Sequence, residues 1–123
     1  MIELVVAITI LLIGTLAAFG TQVVSGQIID SSEDITIVVS DLETCMEEML
    51  LQSADDMPSH YPEGVEVPGY SNLHVAAQEI TPEYLNWSAG DAIPDVLEIE
   101  LTATWFDGSG RVQRQTLLTT KAR

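Results

Sequence analysis

Basic residues are nearly missing from this chain. Its 123 residues hold 19 acids and four bases, for a formal net charge of −15. Nucleic acid needs a cationic footprint and is excluded as a partner. Docking on anionic lipid head groups through a basic patch is excluded on the same ground. Cysteine occurs once, at Cys45, which rules out an intrachain disulfide and any zinc site built on several thiolates. Proline does not occur before Pro58, so no ring interrupts a helix over the first half. The length is enough for one domain.

The few bases are segregated. Arg111, Arg114, Lys121 and Arg123 lie at the C-terminal end, and residues 1–110 carry every acid and no base. Such a chain is soluble and self-repelling and suits an extracytoplasmic or salty setting.

What is present is a long apolar run. Residues 4–24, LVVAITILLIGTLAAFGTQVV, carry no charge. At about 1.5 Å per residue such a helix spans roughly 30 Å, one bilayer core. A secretory signal peptide would need a basic n-region, and none precedes the run. A buried core helix is hard to wrap on all sides in so short a chain. A membrane-spanning or filament-core helix fits best. Glu3 stands at the edge of the run. It can snorkel to the interface near the positive helix N-terminus, or find a partner inside an apolar setting.

The start Met1-Ile2-Glu3-Leu4-Val5-Val6-Ala7-Ile8-Thr9-Ile10-Leu11 resembles the mature N-terminus of type IV pilins and type II secretion pseudopilins. In that family a glutamate precedes a Val/Ala/Ile/Leu run. Matched on Glu3, the chain lacks the first two mature residues and the basic leader ending in glycine, so Met1 reads as an internal start or a trimmed end. The resemblance covers about 20 residues. It implies assembly through Ile2, Glu3 and Leu4. It also implies that Gly14 and Gly20 supply the helix flexibility that a proline gives in many members, since glycine costs about 1 kcal/mol in a helix.

The helical pattern continues. Ile28, Ile35, Leu42 and Met49 recur every seven residues, with Ser32, Val39 and Met46 four after the first three, and Val38 and Cys45 widening the stripe. Asp30, Glu33, Asp34, Asp41, Glu43, Glu47 and Glu48 fall mostly off it. One helix over about 3–52 is expected. Cys45 reads as a small buried hydrophobe. The acids have no basic i,i+4 partners, so packing must hold the helix.

Residues 53–71 read as a Pro/Gly/acid-rich loop. Leu73, Val75 and Ala77 alternate and suggest a short strand. The clearest strand is 96–106, with Leu97, Ile99, Leu101, Ala103 and Trp105 on one face. Asp107-Gly108-Ser109-Gly110 follows as a turn, and 111–120 returns as a hairpin. Arg111 and Arg114 are expected to face the Glu98–Glu100 side or the acidic helix. The fold class is therefore α+β: a long N-terminal helix, hydrophobic then amphipathic, packed on a small antiparallel sheet, which is also the pilin-like layout. The segments are a membrane or filament-core helix at 1–27 and a head at 28–123, made of helix 28–52, loop 53–71 and sheet 72–120.

No catalytic arrangement stands out. His60 and His74 match no metal-ligand spacing. Asp55, Asp56, Glu63 and Glu66 lack the calcium-loop pattern, and Asp107-Gly-Ser-Gly lacks the lysine and helix of a phosphate loop. Tyr84 and Trp87, placed between strands, are expected to cover the sheet. No metal or cofactor is expected, and the chain reads as a structural protein rather than an enzyme. The resemblance implies a pilin or pseudopilin, and the charge of −15 leans towards a low-copy, minor subunit. The resemblance also implies insertion in the cytoplasmic membrane, a head in the periplasm or outside the cell, processing by a prepilin peptidase, and other pilin subunits as partners. The competing reading is a single-pass anchored protein with an acidic head that binds a cation or a protein.

Overall fold

The computed structural model describes residues 2–123; Met1 lies outside the described residues. The elements are α1 (Ile2–Leu51), α2 (Met57–His60), β1 (Glu79–Tyr84), β2 (Val96–Phe106) and β3 (Val112–Ala122). The chain divides into two compact units, Met1–Glu33 and Asp34–Arg123.

The first unit is helix alone. None of its described side chains is buried, from Ile2 through Glu33. α1 is long and apolar enough at its N-terminal end to cross a membrane.

The second unit is an α+β layer pair. The sheet order is β1-β2-β3, antiparallel throughout. The last turns of α1 pack Val38, Leu42, Cys45, Met46 and Met49 against Ile80 of β1 and Leu97, Ile99, Leu101, Ala103 and Trp105 of β2. Each fully buried aliphatic side chain of this kind contributes roughly 1.5–3 kcal/mol. Met57, at the start of α2, closes the same core with no exposed surface. The C-terminus of α1 is finished by Gln52 N–H donating to the Met49 carbonyl (3.0 Å) and by Lys121 Nζ donating to the Leu50 carbonyl (2.7 Å). A cation there satisfies an orphan carbonyl and opposes the negative helix end.

Four expectations need correction. The alternating 73–77 segment is not a strand. Ala77 adopts a left-handed φ of 55° and Asn72 one of 50°, so the segment turns, and the sheet begins at Glu79 rather than 72 and ends at Ala122 rather than 120. Tyr84 lies in β1, not between strands. Residues 53–71 are not all loop, since Pro58 sits in the first turn of α2. The apolar stripe is buried only from Val38 onward: Ile28 and Ile35 are 61 % and 41 % exposed. The two compact units divide after Glu33.

Candidate functional site

Ile2, Glu3 and Leu4 occupy the first turn of α1, with Glu3 the acid of that turn. Ile2 and Leu4 are largely exposed, as are Val5, Ile8, Leu11, Leu12, Leu16 and Phe19 further along. A carboxylate at a helix N-terminus meets the unpaired N–H groups and the positive end of the dipole. The structure thus brings one acid to the head of an uncovered apolar helix. Gly14 and Gly20 lie within α1, and the helix runs through both. A Cβ at either would meet nothing within 4 Å, so neither glycine is there for close packing within this chain. Thr9, Thr15 and Thr21 fold their hydroxyls back onto carbonyls one turn earlier, at 2.8–2.9 Å. That satisfies them without water.

A second cluster was not anticipated. Asp41 is buried on the inward side of α1. Both its carboxylate oxygens accept from His74 Nδ1 at 3.0 Å, and Oδ2 also accepts from Gln78 Nε2 at 2.9 Å. Gln78 has no exposed surface, and its Oε1 accepts from Val75 N–H at 3.3 Å. Three polar groups thereby clamp the 71–78 turn onto the helix. A buried carboxylate is costly unless its lone pairs are filled, and here they are. His74 is half exposed on its other side, at the rim of a shallow 300 Å³ groove with Thr36, Ile37 and Ser40. The spacing contained a signal: Asp41 lies three residues after Val38 and four before Cys45, inside the apolar stripe rather than off it.

Asp107 anchors the hairpin turn. Its Oδ1 accepts from Ser109 N–H and Oγ and from Arg111 N–H; its Oδ2 accepts from Arg111 Nε and Gln113 Nε2. The Ser109 hydroxyl, then the Arg111 N–H, hold this carboxyl well below the usual carboxylate range. Gly110 supplies the positive φ, 78°, that lets the turn close. The turn is a structural knot, with every acceptor directed into its own loop.

Arg111 is thus paired with Asp107 at 3.1 Å, not with Glu98, Glu100 or the helix, which corrects that expectation. Arg114 shares the outer sheet face with Glu98 and Glu100 but stands opposite Thr104. Arg123 Nε pairs with Asp55 at 2.9 Å, and Asp56 accepts from Ser53 Oγ. Among the described residues no group of three or more His, Cys, Asp or Glu could hold a metal ion. Cys45 is buried, and burial first, Glu48 second, push its thiol up to about 12. It is an inert core residue. Tyr84 donates to the Tyr61 carbonyl at 2.8 Å and meets Trp87 edge-on, with ring centroids 5.7 Å apart. The aromatic pair covers one end of the sheet.

No family model, curated protein or solved structure matches the chain.

Proposed function

We propose that this chain is a structural subunit, a minor pilin or pseudopilin, of a type IV pilus-like or type II secretion filament. It would wait in the cytoplasmic membrane and then assemble through the N-terminal half of α1. The observation that carries this reading is the uncovered apolar helix over residues 2–29 with one carboxylate, Glu3, in its first turn. So much apolar surface requires lipid or other copies of itself. Glu3 then has a use: in an apolar filament core it pairs with the free N-terminal amine of a neighbouring processed subunit. Such a pair is far stronger than at a wet surface, and removing one member strands the other.

The head contributes a rigid acidic platform rather than chemistry. Its buried polar groups are spent on structure, as the Asp41 clamp and the Asp107 turn illustrate. The charge of −15 favours a low-copy subunit, because stacked identical heads repel unless screened.

Glu3→Ala tests the reading in the native host. Membrane insertion should be unchanged, since losing a charge only eases it, while recovery in sheared filaments should fall sharply. Full recovery of the variant would remove the pairing mechanism. Wild type found only in membranes, with assembly partners present, would favour the single-pass anchored protein instead.

A further inference from the structure

The two edges of the sheet differ. The outer edge of β1 is closed: the Pro82 carbonyl accepts from Gly64 N–H at 2.9 Å, and the Ile80 carbonyl from Val67 N–H at 2.8 Å. β3 has no such cover. Its backbone alternation follows from those same bonds. Ile80 and Pro82 direct their carbonyls away from β2, whereas Leu85 N–H donates to the Glu98 carbonyl. Even-numbered residues of β2 therefore bond β1, and odd-numbered ones bond β3. Arg123 N–H to the Asp95 carbonyl and Asp107 N–H to the Arg111 carbonyl, both odd with odd, agree. On β3 the odd residues face β2. Val112, Arg114, Thr116, Leu118, Thr120 and Ala122 turn their N–H and C=O groups outward, and among the described residues no backbone group bonds them.

An open edge of 11 residues, roughly 37 Å at strand rise, is uncommon. Natural edges are blunted by shortness, proline, bulges or outward lysine. β3 is long and has no proline, and its Lys121 is turned inward to the Leu50 carbonyl. The edge is also the one part of the chain that carries bases. Residues 108–123 carry all four bases and no acid, against 19 acids and no base in residues 1–107. Arg111 and Arg123 have carboxylate partners and Lys121 caps the end of α1, which leaves Arg114, among the described residues, as the uncompensated charge on the strand itself.

We propose that the free edge of β3 is a strand-addition site for an extended acidic segment of another protein. Main-chain bonds to the six outward residues would supply affinity, and Arg114 at the exposed edge would select acidic side chains. A second copy of this chain is the poorer occupant. Pairing β3 with β3 brings two cationic edges together and two chains of −15 each. At physiological salt the screening length is about 8 Å, so Arg114, one strand spacing of about 4.8 Å from an added strand, outweighs Glu98 and Glu100, two spacings away on β2. The proposal goes beyond the filament reading and does not depend on it.

The test uses the full chain in detergent micelles at near-physiological salt. Two labelled peptides of β3's length, 11 residues, alternate threonine and valine with glutamate in one and with lysine in the other. Fluorescence anisotropy should show saturable binding of the glutamate peptide and none of the lysine peptide. The double variant Thr116→Pro, Thr120→Pro removes two outward N–H groups and leaves the bonds to β2 intact, because edge strands accept proline where the N–H faces outward. It should weaken the glutamate peptide at least tenfold while keeping the wild-type circular dichroism spectrum. Arg114→Glu leaves the backbone untouched and should also weaken that peptide several-fold, which decides the matter if the proline variant misfolds. Binding of neither peptide, equal binding of both, or glutamate-peptide binding unchanged by both variants would overturn the proposal. So would sedimentation showing a wild-type oligomer that the proline variant dissolves, since the edge would then be a contact between copies.

Discussion

Leu11 and Leu42 sit on the same helix, one 69 % exposed and the other 1 %. Around Leu11 every direction is apolar, with no acid between Glu3 and Asp30 to mark an outer side. Around Leu42 the acids Glu43, Glu47 and Glu48 mark one side, and the opposite side carries Val38, Cys45 and Met49 into the core. A helix apolar all round asks for an apolar solvent, whereas a helix apolar on one stripe asks for one partner surface. The partner of the stripe is this chain's own sheet. The uniform half stays exposed along its described length.

The largest effect should come from removing the stripe. A fragment of residues 53–123 loses the five α1 side chains of the core and should show no cooperative melt, whereas residues 34–123 should fold as a soluble unit. A sharp transition from 53–123 would mean that the sheet is self-sufficient. Single substitutions sharpen the contrast. Leu42→Asp buries an unpaired charge and should destabilise the second unit by several kcal/mol, on the order of 4. Leu11→Asp should weaken membrane insertion by about 3 kcal/mol and, with the full chain melted in micelles, leave the transition of the second unit unchanged. Differential scanning calorimetry of residues 34–123 and carbonate extraction of the full chain read the two losses separately.

The next effect belongs to Asp107, whose carboxyl is held low by Ser109 and Arg111. A folded-state pKa depressed below its unfolded value adds stability that is complete above the unfolded value, near 4. That stability is lost as pH falls through and below it. Asp107→Asn should therefore melt well below wild type at pH 7, and the gap should narrow steadily as the pH drops below about 4. A gap that stays constant with pH would mean that the turn is held by shape rather than by the charge.

Asp41 comes next. Asp41→Ala leaves Gln78 Nε2 buried without an acceptor and frees His74, which should cost roughly 1–3 kcal/mol. In a double-mutant cycle His74→Ala should cost less alone, since its ring is half exposed, and should cost little more once Asp41 is gone. Additive losses would mean that the clamp does not act as a unit.

Much of the second unit was legible because its strongest signals are periodic. The alternation of Leu97, Ile99, Leu101, Ala103 and Trp105 is buried residue by residue, and the helix runs over 2–51 where 3–52 was expected. β1 was not anticipated; its six residues include Pro82, and proline is uncommon inside strands. Pro82 faces away from β2, so its missing N–H removes nothing from the ladder. The 73–77 segment misled in the opposite sense: its alternation is real, but only Val75 is buried, while Leu73 is 46 % exposed. The Asp41 clamp and the Lys121 cap join residues 33 to 71 positions apart, and no local pattern encodes such pairs. At the N-terminal site the sequence places Glu3 and its apolar run, and the structure adds that they share one uncovered helix.

The smallest expected effect is at Ala77, and it has the opposite sign. Its φ of 55° lies in the left-handed region, where a Cβ crowds the following carbonyl at a cost of roughly 1–2 kcal/mol. The conformation persists because the neighbours fix it: Ala77 N–H donates to Asn72 Oδ1 at 2.6 Å, and the next residue, Gln78, is bound to Asp41. Glycine adopts this φ without strain, but it loses more freedom on folding than alanine, by about 0.5–1 kcal/mol. The difference leaves Ala77→Gly stabilising by a few tenths of a kcal/mol to about 1. That is a rise of a few degrees in the melting temperature of residues 34–123. The same change in the Asp41→Ala background should gain less, because a turn released from the clamp can relieve the strain by moving. A lower melting temperature for Ala77→Gly in the wild-type background would mean that the turn carries no strain for glycine to release.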